Sequence, residues 1–61
     1  IARRSLHTCR NLESGHIITE GDLVSMRPGT GISPSHLPSV IGRKLRRPLK
    51  EGEILREEDL D

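Results

Sequence analysis

The segment Arg27-Pro28-Gly29-Thr30-Gly31 has the residue types and order best suited to chemistry in this chain. Arginine carries a planar fork of N–H donors that matches a carboxylate, a phosphate or an amide carbonyl. Pro28 fixes its own φ and disfavours a helical conformation at Arg27, which is therefore expected to be extended. The two glycines permit positive φ and leave room for a ligand or another backbone to approach closely. The segment predicts an arginine held out for binding, although a solvated polar turn would have the same five residues.

The other reactive residue types do not form a recognisable site in the sequence. The three histidines and the single cysteine lack the spacing typical of metal ligands, and their order supports no Ser/His/Asp grouping. Cys9 lies in an alternating segment, where a small packed side chain is a more common role than a nucleophile. The chain alone is therefore expected to hold neither a catalytic residue nor a metal.

Length and composition restrict the chain to one small domain with an aliphatic core. It has 61 residues, one cysteine and no Phe, Tyr or Trp, so an internal disulfide and an aromatic core are both excluded. A net charge of +1 and the lack of aromatic stacking residues argue against nucleic-acid binding. No apolar run reaches membrane-spanning length and no signal peptide is visible, so a cytoplasmic protein without membrane contact is expected. A first residue other than Met suggests a piece of a longer protein.

The densest basic run, residues 43–50, carries five positive charges in eight residues. Nucleic-acid binding is one interpretation, but nothing else in the chain supports it. A solvated strand face is a second interpretation. A docking face for an acidic surface or for anionic substrates is a third.

Short strands are predicted between turns along the whole chain. The first covers residues 4–9, where loose alternation places Leu6, Thr8 and the apolar part of Arg10 on one side. Leu45 is expected to point inward from a basic strand. The further strands are predicted at residues 16–18, 24–27, 43–47 and 53–55.

Four single helical turns are predicted from their capping residues. Thr19 can cap the first, with Asp22 at the capping-box position. Ser33 is the expected N-cap of the second, with Pro34 at its first helical position, and Gly42 is the glycine expected to end the third. The turns are predicted at residues 19–23, 32–37, 38–41 and 56–60.

One passage of the chain occurs twice, at an offset of 37 residues. Residues 12–23 follow the pattern Leu-x-x-Gly-x-Ile-Ile-x-Glu-x-Asp-Leu, and residues 49–60 repeat it with Leu in place of the second Ile. Two copies are too few for a solenoid. They predict a fold with internal pseudo-twofold symmetry, with equivalent turns at Gly15 and Gly52. One shared core would then receive the apolar pairs of both copies, Ile17, Ile18, Ile54 and Leu55.

Several ordered strings together carry a resemblance to a known family: Arg3-Arg4-Ser5-Leu6, Gly15-His16-Ile17-Ile18-Thr19, Asp22-Leu23, Arg27-Pro28-Gly29-Thr30-Gly31-Ile32-Ser33-Pro34, Ile41-Gly42-Arg43-Lys44 and Gly52-Glu53-Ile54-Leu55. With these strings the chain resembles the C-terminal SAF domain of bacterial sialic acid synthases. That family includes N-acetylneuraminate synthase and its legionaminate and pseudaminate relatives. The resemblance covers nearly the whole chain.

The resemblance implies a mostly β fold of short strands and 3-10 turns, the β-clip or pretzel fold shared with type III antifreeze proteins. Residues 1–61 would form a single SAF domain that follows a TIM barrel absent from this chain. In the family, that barrel condenses phosphoenolpyruvate with an N-acylated mannosamine-type sugar and uses Mn²⁺ or Mg²⁺.

The resemblance also implies a role for the arginine segment. In the family, the domain caps the active site in the partner subunit's barrel within a swapped homodimer. The arginine of the Arg-Pro-Gly segment contacts the N-acyl group of the sugar. Arg27 matches that arginine, with Pro28, Gly29, Thr30 and Gly31 as its support.

Two other functions are compatible with such a fold, because a fold does not determine a function. A non-catalytic SAF domain for interaction or carbohydrate binding in another protein is the main alternative. An antifreeze-like domain is the other, but ice binding uses a flat and mostly uncharged surface. The N-terminal half of this chain carries several charged or titratable residues, namely Arg10, Glu13, His16, Glu20 and Asp22.

Overall fold

The computed structural model describes residues 3–61, in which short extended segments are joined by single helical turns. Strands β1 (Ser5–Thr8) and β2 (Leu23–Met26) form a two-stranded antiparallel sheet in which Ser5 lies opposite Met26. One α-helical turn, α1, spans Leu37–Val40. The 3-10 turns span Glu20–Asp22, Pro34–His36 and Glu57–Asp59. The described part of the chain is mostly non-helical, as predicted, and none of its helices has the length and apolarity needed to cross a bilayer.

The predicted helical turns are present, and the predicted capping residues lie at their ends. Asp22 Oδ2 accepts the Thr19 backbone N–H at 2.9 Å, and Ser33 Oγ accepts the Ser35 backbone N–H at 3.3 Å. Gly42 follows α1 with a φ of +91°, a conformation that suits the glycine after a helix. Interactions within a few residues were therefore sufficient to predict these turns.

The predicted strands are confirmed only in part. β1 and β2 overlap the segments predicted at residues 4–9 and 24–27. The other predicted strands form isolated bridges instead of ladders. The bridges pair His7 with Ile54, Leu12 with Leu49, Ile17 with Lys44 and Leu45 with Leu60.

All four residues of β1 are buried, so the predicted one-sided alternation of this strand is wrong. β2 pairs with one edge of β1, and the segment around residues 53–55 covers the other edge. Thr8 N–H donates to Glu53 O, and Leu55 N–H donates to Leu6 O, both at 2.9 Å. Successive side chains of a strand point to opposite faces, so the burial of all four residues means that both faces of β1 are covered as well. The polar side chains buried there need hydrogen-bond partners.

The core is one aliphatic cluster, and the apolar pairs of the repeat contribute to it unequally. Ile18 and Leu55 are 1% and 0% exposed, and Leu45 points inward as predicted. Ile17 is 48% exposed and Ile54 is half-buried, so the prediction that both members of each pair enter the core is wrong. Consecutive side chains of an extended segment point to opposite sides, which allows only one of each pair to face the core. The cluster consists of Leu6, Leu12, Ile18, Ile32, Val40, Leu45, Leu49, Leu55 and Leu60.

The two copies of the repeated passage make matching backbone contacts. Gly15 and Gly52 adopt φ values of +88° and +83°, which favour glycine over any residue with a Cβ. Leu12 N–H donates to Leu49 O at 2.8 Å, and Leu49 N–H donates to Leu12 O at 2.9 Å. The two glycines therefore occupy turns of the same kind, and the two copies are joined directly at the leucine that begins each one.

A buried aspartate occupies the same position in each copy. Asp22 and Asp59 each accept, through Oδ2, the backbone N–H at the start of their own helical turn, at 2.9 and 3.0 Å. Two residues before each copy begins, an arginine binds the other carboxylate oxygen of that aspartate. Arg10 lies 3.0 Å from Asp22, and Arg47 lies 2.6 Å from Asp59. Buried carboxylates depend on such partners, because an unpaired buried charge is strongly destabilising. These four residues therefore attach each helical turn to the rest of its copy.

Truncation should separate the buried and exposed members of the apolar pairs. Leu55→Ala should lower the free energy of unfolding by about 2–4 kcal/mol, because it leaves a cavity in a core that has few side chains to fill it. Ile17→Ala removes a side chain that is half exposed and should cost much less. Urea denaturation of both variants measures the difference. Equal losses of stability would show that Ile17 is as deeply buried as Leu55.

The stability of the fold should depend on the ionisation of Asp22. Burial by itself raises the pKa of Asp22, but hydrogen bonds from His16 and from the backbone and side chain of Thr19 outweigh it and hold the pKa below its usual value. A carboxyl group with a lowered pKa stabilises the fold above its unfolded pKa, and that contribution is lost as the pH falls through the folded pKa.

Denaturation between about pH 5 and pH 2 tests this dependence. Asp22→Asn should reduce the loss of stability over that range. Glu20→Gln is the control, because Glu20 lies exposed in the same helical turn. An unchanged pH profile in Asp22→Asn would mean that other carboxylates cause the acid sensitivity.

Candidate functional site

Arg27 is exposed and directly follows β2, at the end of the two-stranded sheet. Three other arginines, Arg10, Arg43 and Arg47, pair with carboxylates. Arg27 has no hydrogen bond or ion pair of its side chain to any residue within 3–61. Its fork of donors is therefore available to a ligand or to another protein surface.

The backbone on both sides of the arginine segment is held by the fold. β2 precedes the segment, and the Arg27–Pro28 peptide bond is cis. Ile32 follows it as a buried core residue whose N–H donates to Leu55 O at 3.1 Å and whose carbonyl accepts the Leu6 N–H at 2.9 Å. Residues 27–31 thus form a short loop between two fixed points.

The two glycines of the segment are places of close contact within the fold. A Cβ on Gly29 would lie 2.4 Å from Arg3 Cβ, and a Cβ on Gly31 would lie 2.4 Å from Ile54 Cγ2 and 2.6 Å from Leu55 O. The predicted close approach of another backbone is confirmed. Neither glycine uses the positive φ that its residue type permits.

The carbonyl of Pro28 is held by two buried side chains of β1. Ser5 Oγ donates to Pro28 O at 2.6 Å, and His7 Nε2 lies 3.3 Å from the same oxygen. Ser5 and His7 are 0% and 3% exposed. Neither residue was predicted to support the site. Their role depends on both faces of β1 being covered, which the loose alternation of its residues does not indicate.

A groove of about 610 Å³ lies beside the segment and includes its two glycines in the lining. Arg4 Nη1 donates to Ser25 O at 3.0 Å, which fixes one guanidinium at the edge of this groove. Among residues 3–61 no carboxylate lines it, so an acidic or carbonyl-bearing group would meet the two guanidinium groups without a competing negative charge. Its other polar lining residues are Arg3, Ser33, Ser35 and His36.

The basic run at residues 43–50 is divided between ion pairs and solvated side chains. Arg43 Nη1 lies 3.2 Å from Glu57 Oε1, and Arg47 binds both Glu53 and Asp59, at 3.1 and 2.6 Å. Its five charges therefore do not form one continuous cationic face. The exposed members without such ion pairs within residues 3–61 are Lys44, Arg46 and Lys50.

The remaining reactive residue types have structural contacts. His16 Nε2 lies 2.7 Å from Oδ2 of Asp22, the aspartate that caps the first helical turn. Cys9 is exposed and its Sγ donates to Gly21 O at 3.0 Å, so the prediction of a packed cysteine is wrong. Its segment leaves the enclosed strand after Thr8. In the described residues, no three His, Cys, Asp or Glu side chains are grouped to hold a metal ion.

The close contact at Gly29 should make this position intolerant of a side chain. Gly29→Ala places a Cβ against the Arg3 backbone and should lower the free energy of unfolding by about 1–3 kcal/mol through overpacking. Gly21→Ala is the matched control, since the nearest atom to its Cβ would be Arg10 Nη2 at 3.6 Å. Thermal unfolding compares the two. A Gly29→Ala variant as stable as Gly21→Ala would refute the close packing of the segment.

Comparison with known proteins indicates the family of this chain. The SAF domain family matches residues 3–61. N,N'-diacetyllegionaminic acid synthase of Legionella pneumophila is 40% identical over 55 residues, which cover 90% of this chain and 15% of that protein. The synthase of the same name from Campylobacter jejuni is 35% identical over 57 residues, 93% of this chain and 17% of its own length. Pseudaminic acid synthase of Campylobacter jejuni is 30% identical over 56 residues, with 92% and 16% covered. The chain thus spans 15–17% of the length of these curated relatives.

Proposed function

The chain belongs to the SAF domain family, and from that membership we propose that it is the substrate-capping domain of a nonulosonic acid synthase. The parent protein would condense phosphoenolpyruvate with an N-acylated mannosamine-type sugar in a TIM barrel. This domain would reach the active site of the partner subunit in a swapped homodimer and contribute Arg27. The divalent ion, Mn²⁺ or Mg²⁺, would be held by the barrel, since residues 3–61 offer no group of metal ligands.

The observation that carries this proposal is an arginine without a partner on a backbone that is already held in place. Arg27 is exposed, whereas Pro28 is fixed through its carbonyl and Gly29 packs against Arg3. A backbone held in this way has little conformational entropy left to lose on docking, so only the rotamers of the side chain must be ordered. The fold therefore supplies the rigidity and leaves the donors of the side chain free for the sugar.

The chemistry of the guanidinium suits the acyl end of the sugar. Its N–H groups lie in one plane and donate to a carbonyl oxygen, and a hydrogen bond from a charged donor contributes about 1.5–3 kcal/mol. Holding the acyl group would also fix the distance between the sugar's aldehyde carbon and phosphoenolpyruvate. A misplacement of about 1 Å between reactants can cost roughly 10²-fold in rate. Arg27 would thus bind and orient the sugar without transferring a proton.

The groove beside the segment supports the proposal that this face of the domain meets the barrel. Its lining includes Arg3 and Arg4 but no carboxylate. Complementary charge across an interface favours correct docking and fixes its register. An acidic surface on the partner subunit's barrel would therefore suit this groove.

We further infer that the domain has the β-clip fold with internal pseudo-twofold symmetry. The matching φ values of Gly15 and Gly52 support this inference. The equivalent contacts of the buried aspartates support it as well. The reciprocal bonds between Leu12 and Leu49 are what a twofold axis between the two copies would require.

Replacement of Arg27 in the full-length protein tests the proposed function. Arg27→Ala should lower kcat/KM for the N-acylated sugar by about 10- to 100-fold, because one charged hydrogen bond to the sugar is lost. Dimer formation and metal content should not change. Arg27→Lys should recover little activity, since an ammonium group cannot reproduce the planar fork.

Steady-state kinetics with a matched variant make this test specific. Arg46→Ala removes an exposed arginine outside the segment and should behave as the wild type. Near-normal activity in Arg27→Ala would reduce the segment to a solvated polar turn and would count against the capping function.

A further inference from the structure

We infer that Ser5 and His7 are positioning residues that hold the Pro28 carbonyl and thereby set where Arg27 is presented. This inference rests on the proposed function of Arg27 and extends it to the strand beneath the segment. Both residues lie on β1, and neither is accessible to a ligand. Any effect on the sugar must therefore pass through the backbone that they hold.

Three atoms form a closed set of contacts directly below the segment. Ser5 Oγ lies 2.6 Å from Pro28 O, His7 Nε2 lies 3.3 Å from Pro28 O, and His7 Nε2 lies 3.3 Å from Ser5 Oγ. The carbonyl belongs to the residue immediately after Arg27. A carbonyl oxygen has two lone pairs, so it can accept from both side chains at once.

The other nitrogen of the His7 ring faces a different part of the fold. Nδ1 lies 3.3 Å from the carbonyl oxygen of Gly52, the glycine of the second repeated turn. The ring therefore bridges that turn and the arginine segment. A neutral imidazole donates from only one nitrogen, so one tautomer binds Pro28 and the other binds Gly52.

Ser5 keeps the segment attached whichever tautomer is present. Its hydroxyl donates to Pro28 O at 2.6 Å, so the carbonyl retains a donor even when the ring proton of His7 is directed to Gly52. Ser5 is fully buried, and a buried hydroxyl without an acceptor is costly, which favours a backbone position that keeps this contact. Ser5 is therefore the primary support and His7 the secondary one.

The same strand offers a matched control for this role. Thr8 Oγ1 donates to Lys50 O at 2.6 Å, and Thr8 is as deeply buried as Ser5. The same hydroxyl accepts the Glu53 backbone N–H at 3.2 Å, and both of its partners lie outside the arginine segment. Ser5→Ala and Thr8→Val thus each remove one buried hydroxyl that donates to a backbone carbonyl, and only the first acts on the segment.

The first experiment measures steady-state kinetics of the full-length protein. Ser5→Ala should raise the KM for the N-acylated sugar about three- to tenfold, the effect of one lost hydrogen bond, and leave the KM for phosphoenolpyruvate unchanged. Thr8→Val should change neither KM, although both variants should melt at similarly lowered temperatures. In an Arg27→Ala background, Ser5→Ala should add nothing, since residues that act through one contact are not additive.

The second experiment observes the Pro28 carbonyl directly. Pro28-Gly29 is the only Pro-Gly dipeptide among the 61 residues. Labelling proline with ¹³C at the carbonyl and glycine with ¹⁵N therefore gives a single NMR signal from these residues, that of the Pro28–Gly29 peptide bond. The signal is assigned in the full-length protein by its loss in Pro28→Ala. Ser5→Ala should shift the Pro28 carbonyl resonance, His7→Gln should shift it less, and Thr8→Val should leave it in place.

The outcomes separate this inference from the proposed function. A normal sugar KM in Ser5→Ala together with a raised one in Arg27→Ala would overturn the positioning role and leave the capping function standing. Equal KM effects of Ser5→Ala and Thr8→Val would assign both to general stability and would also overturn it. A normal kcat/KM for the sugar in Arg27→Ala would overturn the capping function and this inference with it.

Discussion

The buried polar groups of this chain must find partners in distant segments, because its longest strands and helices have only four residues. Leu12 and Leu49 exchange two backbone hydrogen bonds across most of the chain length. β1 bonds to β2 on one edge and to the segment near residue 54 on the other. Within residues 3–61, no buried side-chain nitrogen or oxygen lacks a partner. The fold is thus a set of mutual long-range contacts, and the placement of each segment depends on several others.

The need for long-range partners also explains why charged residues are buried in the interior. The helical turns at Glu20–Asp22 and Glu57–Asp59 are too short to be held by their own hydrogen bonds. Asp22 and Asp59 cap these turns and at the same time bind an arginine, so one carboxylate connects the turn to a remote segment. In a chain without aromatic residues, such ion pairs and caps supplement an aliphatic core of modest size.

Against this background Arg27 differs from the arginines that stabilise the fold. Arg10, Arg43 and Arg47 are used in ion pairs, whereas the donors of Arg27 have no acceptor in the described part of the chain. Its backbone is nevertheless held, through the Pro28 carbonyl and the contact of Gly29 with Arg3. A rigid backbone with an unused side chain suits a residue whose acceptor is supplied from outside.

The sequence by itself determined the features that depend on neighbouring residues. The capping residues at Thr19 and Ser33, the glycine at position 42 and the paired glycine turns are all as expected, because caps and positive φ are local properties. The family and the location of the arginine segment also follow from short strings of residues.

Only the tertiary structure decided which faces of these segments are buried. The exposure of Ile17 and the burial of Ser5 and His7 were not predicted. A close approach at Gly29 was expected, but the sequence did not identify Arg3 as the residue that makes it. Each depends on a segment that is remote in the sequence, such as the Gly52 turn beside His7. The alternation of a four-residue strand indicates two faces but not what covers either one. Long-range packing determines which faces are covered. It also places the residues that support Arg27 on a strand more than twenty residues away in the sequence.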